Sequence, residues 1–276
     1  SWKSALMLDE PLAFAKNFVD DLSEALQTHC KHARLTGAQK IWISFCITAI
    51  VLTNQVCCAS FERLSLGHFS LASLSWMFRH SKILWESLLI ASVFLILHRY
   101  GIQNGLLIID DTDNPRSKNT KEIAHAHKMK DKKTGGYCNG QCIVYLLLVT
   151  HKVTIPVGFK FYQPDPKISA WRKEDRRLKQ QGYPKSSRQL KPLRDPQYPT
   201  KAELAVSLVG AFSKTFPFIS IPCVLADGLY GHARFIEGVS SIYPLAQVLS
   251  QIRCNQQVMS GEKYISVSEY FDNVPS

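Results

Sequence analysis

At 276 residues, 46% apolar and 20% charged, the chain is long enough for a large core and two domains, and its composition is that of a folded protein rather than a disordered one. The formal net charge of +11, from 33 Lys and Arg against 22 Asp and Glu, points to a nucleic acid or an anionic surface as partner, the alternative being a basic surface kept for solubility. The eight cysteines (Cys30, Cys46, Cys57, Cys58, Cys138, Cys142, Cys223 and Cys254) lie mostly inside apolar segments, and read as reduced core residues instead of the framework of a small secreted domain.

The first hundred residues are expected to be helical. The opening residues carry acids and lack a small-residue cleavage site, so they do not read as a secretory signal, and the absence of a leading methionine suggests a processed or excised piece. Asp9 and Pro11 mark a helix start, with Phe14, Phe18, Leu22 and Leu26 recurring at helical spacing. After the basic connector Thr28–Gly37, apolar helices are expected around residues 38–60 and 83–100. Their apolar cores, Ile41–Thr53 and Leu84–Leu97, fall short of the ~20 residues that a membrane span needs, so both are read as buried helices and no membrane partner is expected. Between them, Ser70–His80 forms a short helix ending in basic residues. It suits the recognition helix of a DNA-binding or dimerisation unit, or a plain bundle in which Trp76 and Phe78 are core.

From Gly105 the character changes to strands. Leu106, Leu107, Ile108 and Ile109 make an unbroken apolar run, read as a strand buried on both faces, that ends on Asp110 and Asp111. Arg116, Lys118, Lys121, Lys128, Lys130, Lys132 and Lys133 crowd the region that follows. Carboxylates suited to a divalent metal thus sit beside cations suited to phosphate. Strand alternation points Asp110 away from Asp111, and Asp113 caps the turn with Asn114 and Pro115. His125, His127, Cys138 and Cys142 offer a zinc-type ligand set, though not at a standard spacing.

Ile143–Thr150 and Val153–Phe161 read as a hairpin turning at His151 and Lys152. Tyr162–Pro199 is Pro-rich and polar, and its stretch Trp171–Arg194 carries nine Lys or Arg against two acids, a surface excursion serving as linker or DNA-contact arm. Lys201–Lys214 is an amphipathic helix with Leu204, Leu208 and Phe212 on its apolar side. Ile221–Asp227 repeats the opening theme of a buried strand ending on an acid, followed by a turn and a short helix. Ala246–Arg253 is expected to be one more buried strand, with Arg253 placed to touch DNA, and residues 257–276 alternate like the start of a β-rich extension. The order is strand with Asp111, hairpin strands, helix, strand with Asp227, helix, strand. This is the element order of an RNase H-like fold, whose first and fourth strands are parallel neighbours, so that the two carboxylates converge where open α/β sheets hold their ligands.

The series IIDDTDNPRSKNTKEI, DKKTGG, LLLVT, IPVGFKFYQPDP, WRKEDRRL, YPTKAELA, VLADGLYG and SQIRCNQ resembles the transposases of bacterial insertion sequences, the DDE cut-and-paste group, from about Ala72 to Asn273. The resemblance implies an α/β protein with an RNase H-like mixed sheet and flanking helices over 104–256, an all-α N-terminal domain over 1–103 for DNA binding or dimerisation, and the start of a β-rich insertion over 257–276. It implies Asp111 and Asp227 as catalytic metal ligands for two Mg²⁺ ions, with Mn²⁺ as a substitute. It further implies transposon-end and target DNA as substrates, a homodimer as the assembly, and a place in the bacterial cytoplasm with the nucleoid; Arg116, Lys118, Lys121, Lys128, Lys130, Lys132 and Lys133, which flank the acids, and Arg253, beside the proposed site, are the expected DNA contacts. The family's third acid is a glutamate on a later helix with a Y-x-x-R-x-x-x-E motif. Neither Glu237 nor Glu269 stands in that motif, so the chain is expected to stop before that helix and to be a truncated or inactive fragment. Two alternatives are a DNA-binding protein without chemistry and a haloacid-dehalogenase-like phosphatase. The phosphatase matches Asp111-x-Asp113 but fails at Pro115 and at Gly231, where its motifs call for other residues.

Overall fold

The computed structural model describes residues 10–30, 32–116, 123–131, 133–252 and 254–272. It divides into two compact units between Gly101 and Ile102. The first contains five helices among its described residues: α1 (Ala13–His29), α2 (Gly37–Thr53), α3 (Cys58–Leu64), α4 (Leu71–His80) and α5 (Trp85–Tyr100). Val19, Leu22, Leu26, Phe45, Ala49, Phe61, Leu74 and Ala91 form its core. The ring of Phe45 lies 4.1 Å from that of Phe69 in a stack and meets Phe61 edge-on.

Helix α2 starts at a capping box between Thr36 and Gln39. The single helix expected over 38–60 breaks after Thr53, because Asn54 turns left-handed (φ 52°) and closes α2; α3 then departs at 88°. In α1 the buried apolar positions are Ala15, Val19, Leu22 and Leu26, while Phe14 is largely exposed. A strict spacing of four outruns the 3.6-residue turn, so a stripe begun at Leu26 has rotated out of the core by Phe14. Trp76 and Phe78 are also largely exposed, not core. No single helix among the described residues is long and apolar enough to cross a membrane.

The second unit is mixed α/β. Its strands are β1 (Leu106–Arg116), β2 (His127–Lys130), β3 (Tyr137–Val149), β4 (Thr154–Tyr162), β5 (Cys223–Ala226) and β6 (Gln247–Ser250), followed by a separate hairpin of β7 (Gln257–Ser260) and β8 (Lys263–Ser266). Helices α6 (Pro166–Gln180), α7 (Lys201–Thr215), α8 (Ala233–Ile242) and α9 (Val267–Asp272) complete it. In the main sheet β1 is flanked by β3, antiparallel, and by β5, parallel; β6 extends the β5 side in parallel. On the outer side of β3, β2 pairs with residues 137–140 and β4 with residues 142–149, both antiparallel. The sheet is therefore mixed, with β3 alone running against the rest.

Burial follows the neighbours. Leu107, Ile109, Val144, Leu146, Leu148 and Val224 are at most 1% exposed. Helix α7 seals them with Leu204, Ala205, Leu208 and Phe212, and it packs against β3 and β4. Gly105 opens β1 because any Cβ there would lie 2.8 Å from the Leu148 side chain and from the Val149 carbonyl oxygen. The strand expected over 246–253 proves shorter and half-exposed: among the described residues β6 is an edge strand paired with β5, and Leu249 is 51% exposed.

The polar stretch after β4 is the largest departure from expectation, since it contains the 15-residue helix α6. Pro166 occupies its first turn, where a missing N–H costs nothing. Asp165 caps it: Oδ1 accepts from the amides of Lys167 (2.8 Å) and Ile168 (3.3 Å), and Oδ2 from the amide of Asp195 (2.9 Å), which ties the far end of the excursion to the helix start. The Asp195 amide, assisted by those of Ile168 and Lys167 against the opposing effect of desolvation, holds this carboxyl below its ordinary value. The stabilisation it gives is complete above the unfolded carboxylate range, about pH 4, and is lost as pH falls through the folded value. Asp165→Asn should therefore lower the urea midpoint at pH 7, and its gap to wild type should narrow in acid. A gap that stays constant from pH 7 to pH 2 would show that the carboxylate charge is not what holds this junction.

Candidate functional site

On β1 the inward face runs Leu107, Ile109, Asp111, Asp113, and the register sets these opposite Leu148, Leu146, Val144 and Cys142 of β3. The first half of this double column is hydrophobic core, and the second half turns acidic where β5 ends at Ala226. Asp110 is exposed, pointing the other way as alternation requires, and its Oδ1 accepts from the Asp111 amide at 2.7 Å. Asp111, Asp113 and Cys142 each offer a ligand atom, and these atoms all lie within 4.8 Å of one another.

Lys201 of α7 reaches across from the opposite layer. Its Nζ donates to Asp111 Oδ2 at 2.6 Å, and the two side chains are only 23% and 11% exposed. The ammonium also lies 5.6 Å from the centre of the Tyr162 ring, on the β4 residue that pairs with Cys142. Helix α7 delivers this lysine because a Thr200–Glu203 capping box fixes its first turn. Burial pulls the ammonium down, but its hydrogen bond to Asp111, followed by the Cys142 sulfur, outweighs this and leaves Lys201 above the ordinary lysine value. Cys142 Sγ donates to the same Asp111 Oδ2 at 3.7 Å. Burial, opposed by Lys201, pushes its thiol up to about 11, so it stays protonated at neutral pH.

Asp227 ends the neighbouring strand. The ladder places Ile109 beside Ala226, so Asp227 follows one step beyond it, abreast of Asp110 and one residue short of Asp111. Its Oδ1 accepts from the Leu229 amide at 2.9 Å, and its carbonyl oxygen accepts from Tyr230 N (3.0 Å) and Ser250 Oγ (2.7 Å), which builds a tight turn. Asp227 is not part of the three-residue ligand group around Asp111. What joins the two acids is Tyr230, three residues on. It is fully buried, and its hydroxyl finds no hydrogen-bond partner. Burial first, then the charges of Asp111 and Asp227, raise it above the usual tyrosine value. Gly231 follows because its Cα faces the Gln251 carbonyl oxygen, 2.3 Å from where a Cβ would stand.

Of the basic residues singled out from the sequence, Lys118, Lys121, Lys132 and Arg253 lie outside the described residues. Lys128, Lys130 and Lys133 are exposed, the first two alternating with buried Met129 on β2. Arg116 donates to Gln141 Oε1 through Nε (3.3 Å) and Nη2 (3.0 Å). Lys128 Nζ stands 4.7 Å over the Tyr137 ring, and Arg176 of α6 hydrogen-bonds the Tyr137 hydroxyl and pulls it below its usual value, so the β2–β3 turn and α6 share one basic surface. The candidate zinc set does not assemble among the described residues. His125 stacks on Phe161 and faces Gln163, His127 meets the His125 carbonyl oxygen, and Cys142 belongs to the Asp111 group.

The donor chemistry fits a hard cation only in part. Asp111 and Asp113 supply carboxylate oxygens at suitable separation, whereas a protonated thiol is a poor ligand for Mg²⁺ and Lys201 already neutralises Asp111 Oδ2. The unpartnered Tyr230 hydroxyl is a polar atom that a bound oxygen ligand would satisfy. Nothing in the sequence marks Lys201 or Tyr230 as a site residue, and Cys142 enters it only within the zinc-type set. No protein-family model matches the chain, and no curated protein matches it.

The thiol makes a simple probe of this arrangement. Cys142 is 3% exposed, while exposed Cys57 is held below the usual thiol value, chiefly by the amides of Ser60 and Ala59. Alkylation at pH 7.5, followed by peptide mapping, should label Cys57 early and Cys142 late, and Cys142 labelling should climb as the pH approaches 11. Rapid labelling of Cys142 at neutral pH would mean that the thiol is ionised and the site more open than described.

Proposed function

We propose that the second unit is an RNase H-like catalytic domain of a DDE-type transposase, acting in Mg²⁺-dependent cleavage and transfer of DNA strands at transposon ends. One observation carries this: Asp111, within β1, and Asp227, at the end of β5, lie at the carboxyl side of adjacent parallel strands in a sheet ordered β4-β3-β1-β5-β6 with β3 alone reversed. That order and direction, with α7 preceding β5 and α8 preceding β6, support this reading of the mixed sheet. Strand-end carboxylates at the centre of an open sheet are where such folds do their chemistry.

On this reading Asp111 and Asp227 hold the catalytic ions, with Asp113 placed to contribute. Two Mg²⁺ ions, or Mn²⁺ in their place, would supply an activated water and stabilise the leaving oxygen. The protein's own part is positioning. The Asp227 turn is pinned by Ser250 and by the Gly231–Gln251 approach, and Tyr230 presents a buried hydroxyl beside both acids. Lys128 and Lys130 of β2, Lys133 of the β2–β3 turn and Arg176 of α6 supply phosphate contacts on the adjoining surface. The helices of the first unit would bind DNA or pair two copies, the β7–β8 hairpin would begin the family's β-rich insertion, and the protein would work on the bacterial nucleoid. The third acid of the family stays unassigned, since Glu237 on α8 and Glu269 on α9 both lack its motif.

Two measurements test this. Titration of Mn²⁺, followed by electron paramagnetic resonance, should reveal binding that Asp111→Asn and Asp227→Asn each weaken by ~10-fold or more; unchanged binding in Asp111→Asn would remove the metal role. Fluorescence anisotropy with duplex DNA should give an affinity that falls steeply with salt. The double variant Lys128→Ala, Lys130→Ala should reduce the log–log slope by about 2, at roughly 0.9 per phosphate contact. A flat salt response would return the net charge to a solubility role.

A further inference from the structure

The Asp111–Lys201 pair joins residues 90 positions apart, from two layers of the fold, at the one place where the inward face of β1 turns from apolar to acidic. An ion pair this enclosed is a poor stabilising device. Removing two charges from water costs as much as their attraction returns, and two well-packed apolar side chains would serve the core better. Its surroundings are also unlike those of a closed structural pair. Asp113 and Cys142 bring further ligand atoms within 4.8 Å of Asp111, and the fully buried Tyr230 hydroxyl beside them has no partner. Two independent features therefore ask for an occupant: a cluster of ligand atoms held together by one cation, and an orphaned donor.

We propose that Lys201 is a built-in counter-ion, which neutralises Asp111 in the unloaded site and yields the carboxylate to an incoming divalent cation. The inference rests on the metal-binding role of Asp111 proposed above and deepens it. In the absence of a divalent cation, the Asp111 and Asp113 carboxylates would repel one another; the Lys201 ammonium, with the Cys142 thiol donating to the same Asp111 oxygen, keeps them gathered. A lysine suits this exchange because its single charge sits on a flexible four-carbon stem, so the head can swing away without moving α7. Once released it stays near the Tyr162 ring, over the row formed by Tyr162, Cys142 and Asp113, a position from which it would face an anionic ligand oxygen.

The test compares Mn²⁺ binding by wild type, Lys201→Met and Lys201→Gln, with fold checked by circular dichroism and thermal melting. Removing the competing cation should tighten Mn²⁺ binding by ~10-fold in Lys201→Met. The same variant, left with an uncompensated buried carboxylate, should melt below wild type without metal and regain much of the loss when Mn²⁺ is added. Lys201→Gln can still donate a neutral hydrogen bond to Asp111, so it covers the case in which Lys201→Met does not fold; it too should bind Mn²⁺ more tightly than wild type. Equal or weaker binding in the folded variants would overturn the counter-ion role and leave the metal role of Asp111 standing. Binding by none of the proteins, wild type included, would overturn both. Tighter binding in Lys201→Met that disappears in Asp111→Asn/Lys201→Met would place the exchange at this carboxylate.

Discussion

Strand β1 is hemmed in on both sides for only part of its length, and that inequality organises the second unit. Over Leu107–Ile109 it pairs with β5 on one edge and β3 on the other; from Asp110 to Arg116 it continues against β3 alone. While both neighbours are present its inward side chains are buried and apolar. Where β5 ends, the same inward positions become Asp111 and Asp113. The chemistry thus begins where the pairing stops. Helix α7 crosses this face with its apolar side over the paired half and its first residue over the acidic half, so one packing interaction both closes the core and brings a cation to the site.

The parts of this arrangement that could be read from sequence were those with a local signature. Leu106–Ile109 and Ile143–Thr150 are unbroken apolar runs, and α7 carries Leu204, Leu208 and Phe212 at helical spacing behind a Thr-x-x-Glu cap. Helix α6 was missed because it buries Ile168 alone, leaving no apolar stripe to find; the available signal was the Asp165-Pro166 pair, a cap followed by proline in the first turn. The polar first half of β3 was missed for a related reason. Tyr137–Gln141 lacks an apolar run, and its strand character comes from pairing with β2 and with the far end of β1. Lys201 and Tyr230 carry no local mark of function at all. One is the first residue of an ordinary helix and the other sits in a turn, and their proximity to Asp111 exists only once the sheet has formed.

Charge is distributed in two regimes. Lys128, Lys130 and Lys133 are exposed and strongly screened, so they suit long-range attraction of a polyanion and contribute little to holding the fold. Lys201 is enclosed and paired, so its charge acts over a few ångströms with far less screening. Asp165 belongs to neither regime, since its partners are backbone amides, and its effect is to return the 30-residue excursion to the sheet. The basic excursion is therefore anchored at its base and not floating, which lets Arg176 meet Tyr137 at a defined place.

The position of Lys201 has a cost that bears on how this protein would respond to selection. It is the first residue of α7, at the end where the aligned peptide dipoles place partial positive charge, and a cation there is disfavoured. An acidic or neutral residue would suit the helix better, and an apolar pair in place of Asp111 and Lys201 would suit the core better. Random improvement of thermal stability, pursued without regard to activity, should accordingly erode this pair early. Its persistence through such a screen, or its prompt loss, would separate an element kept for what it does from one kept for how it folds.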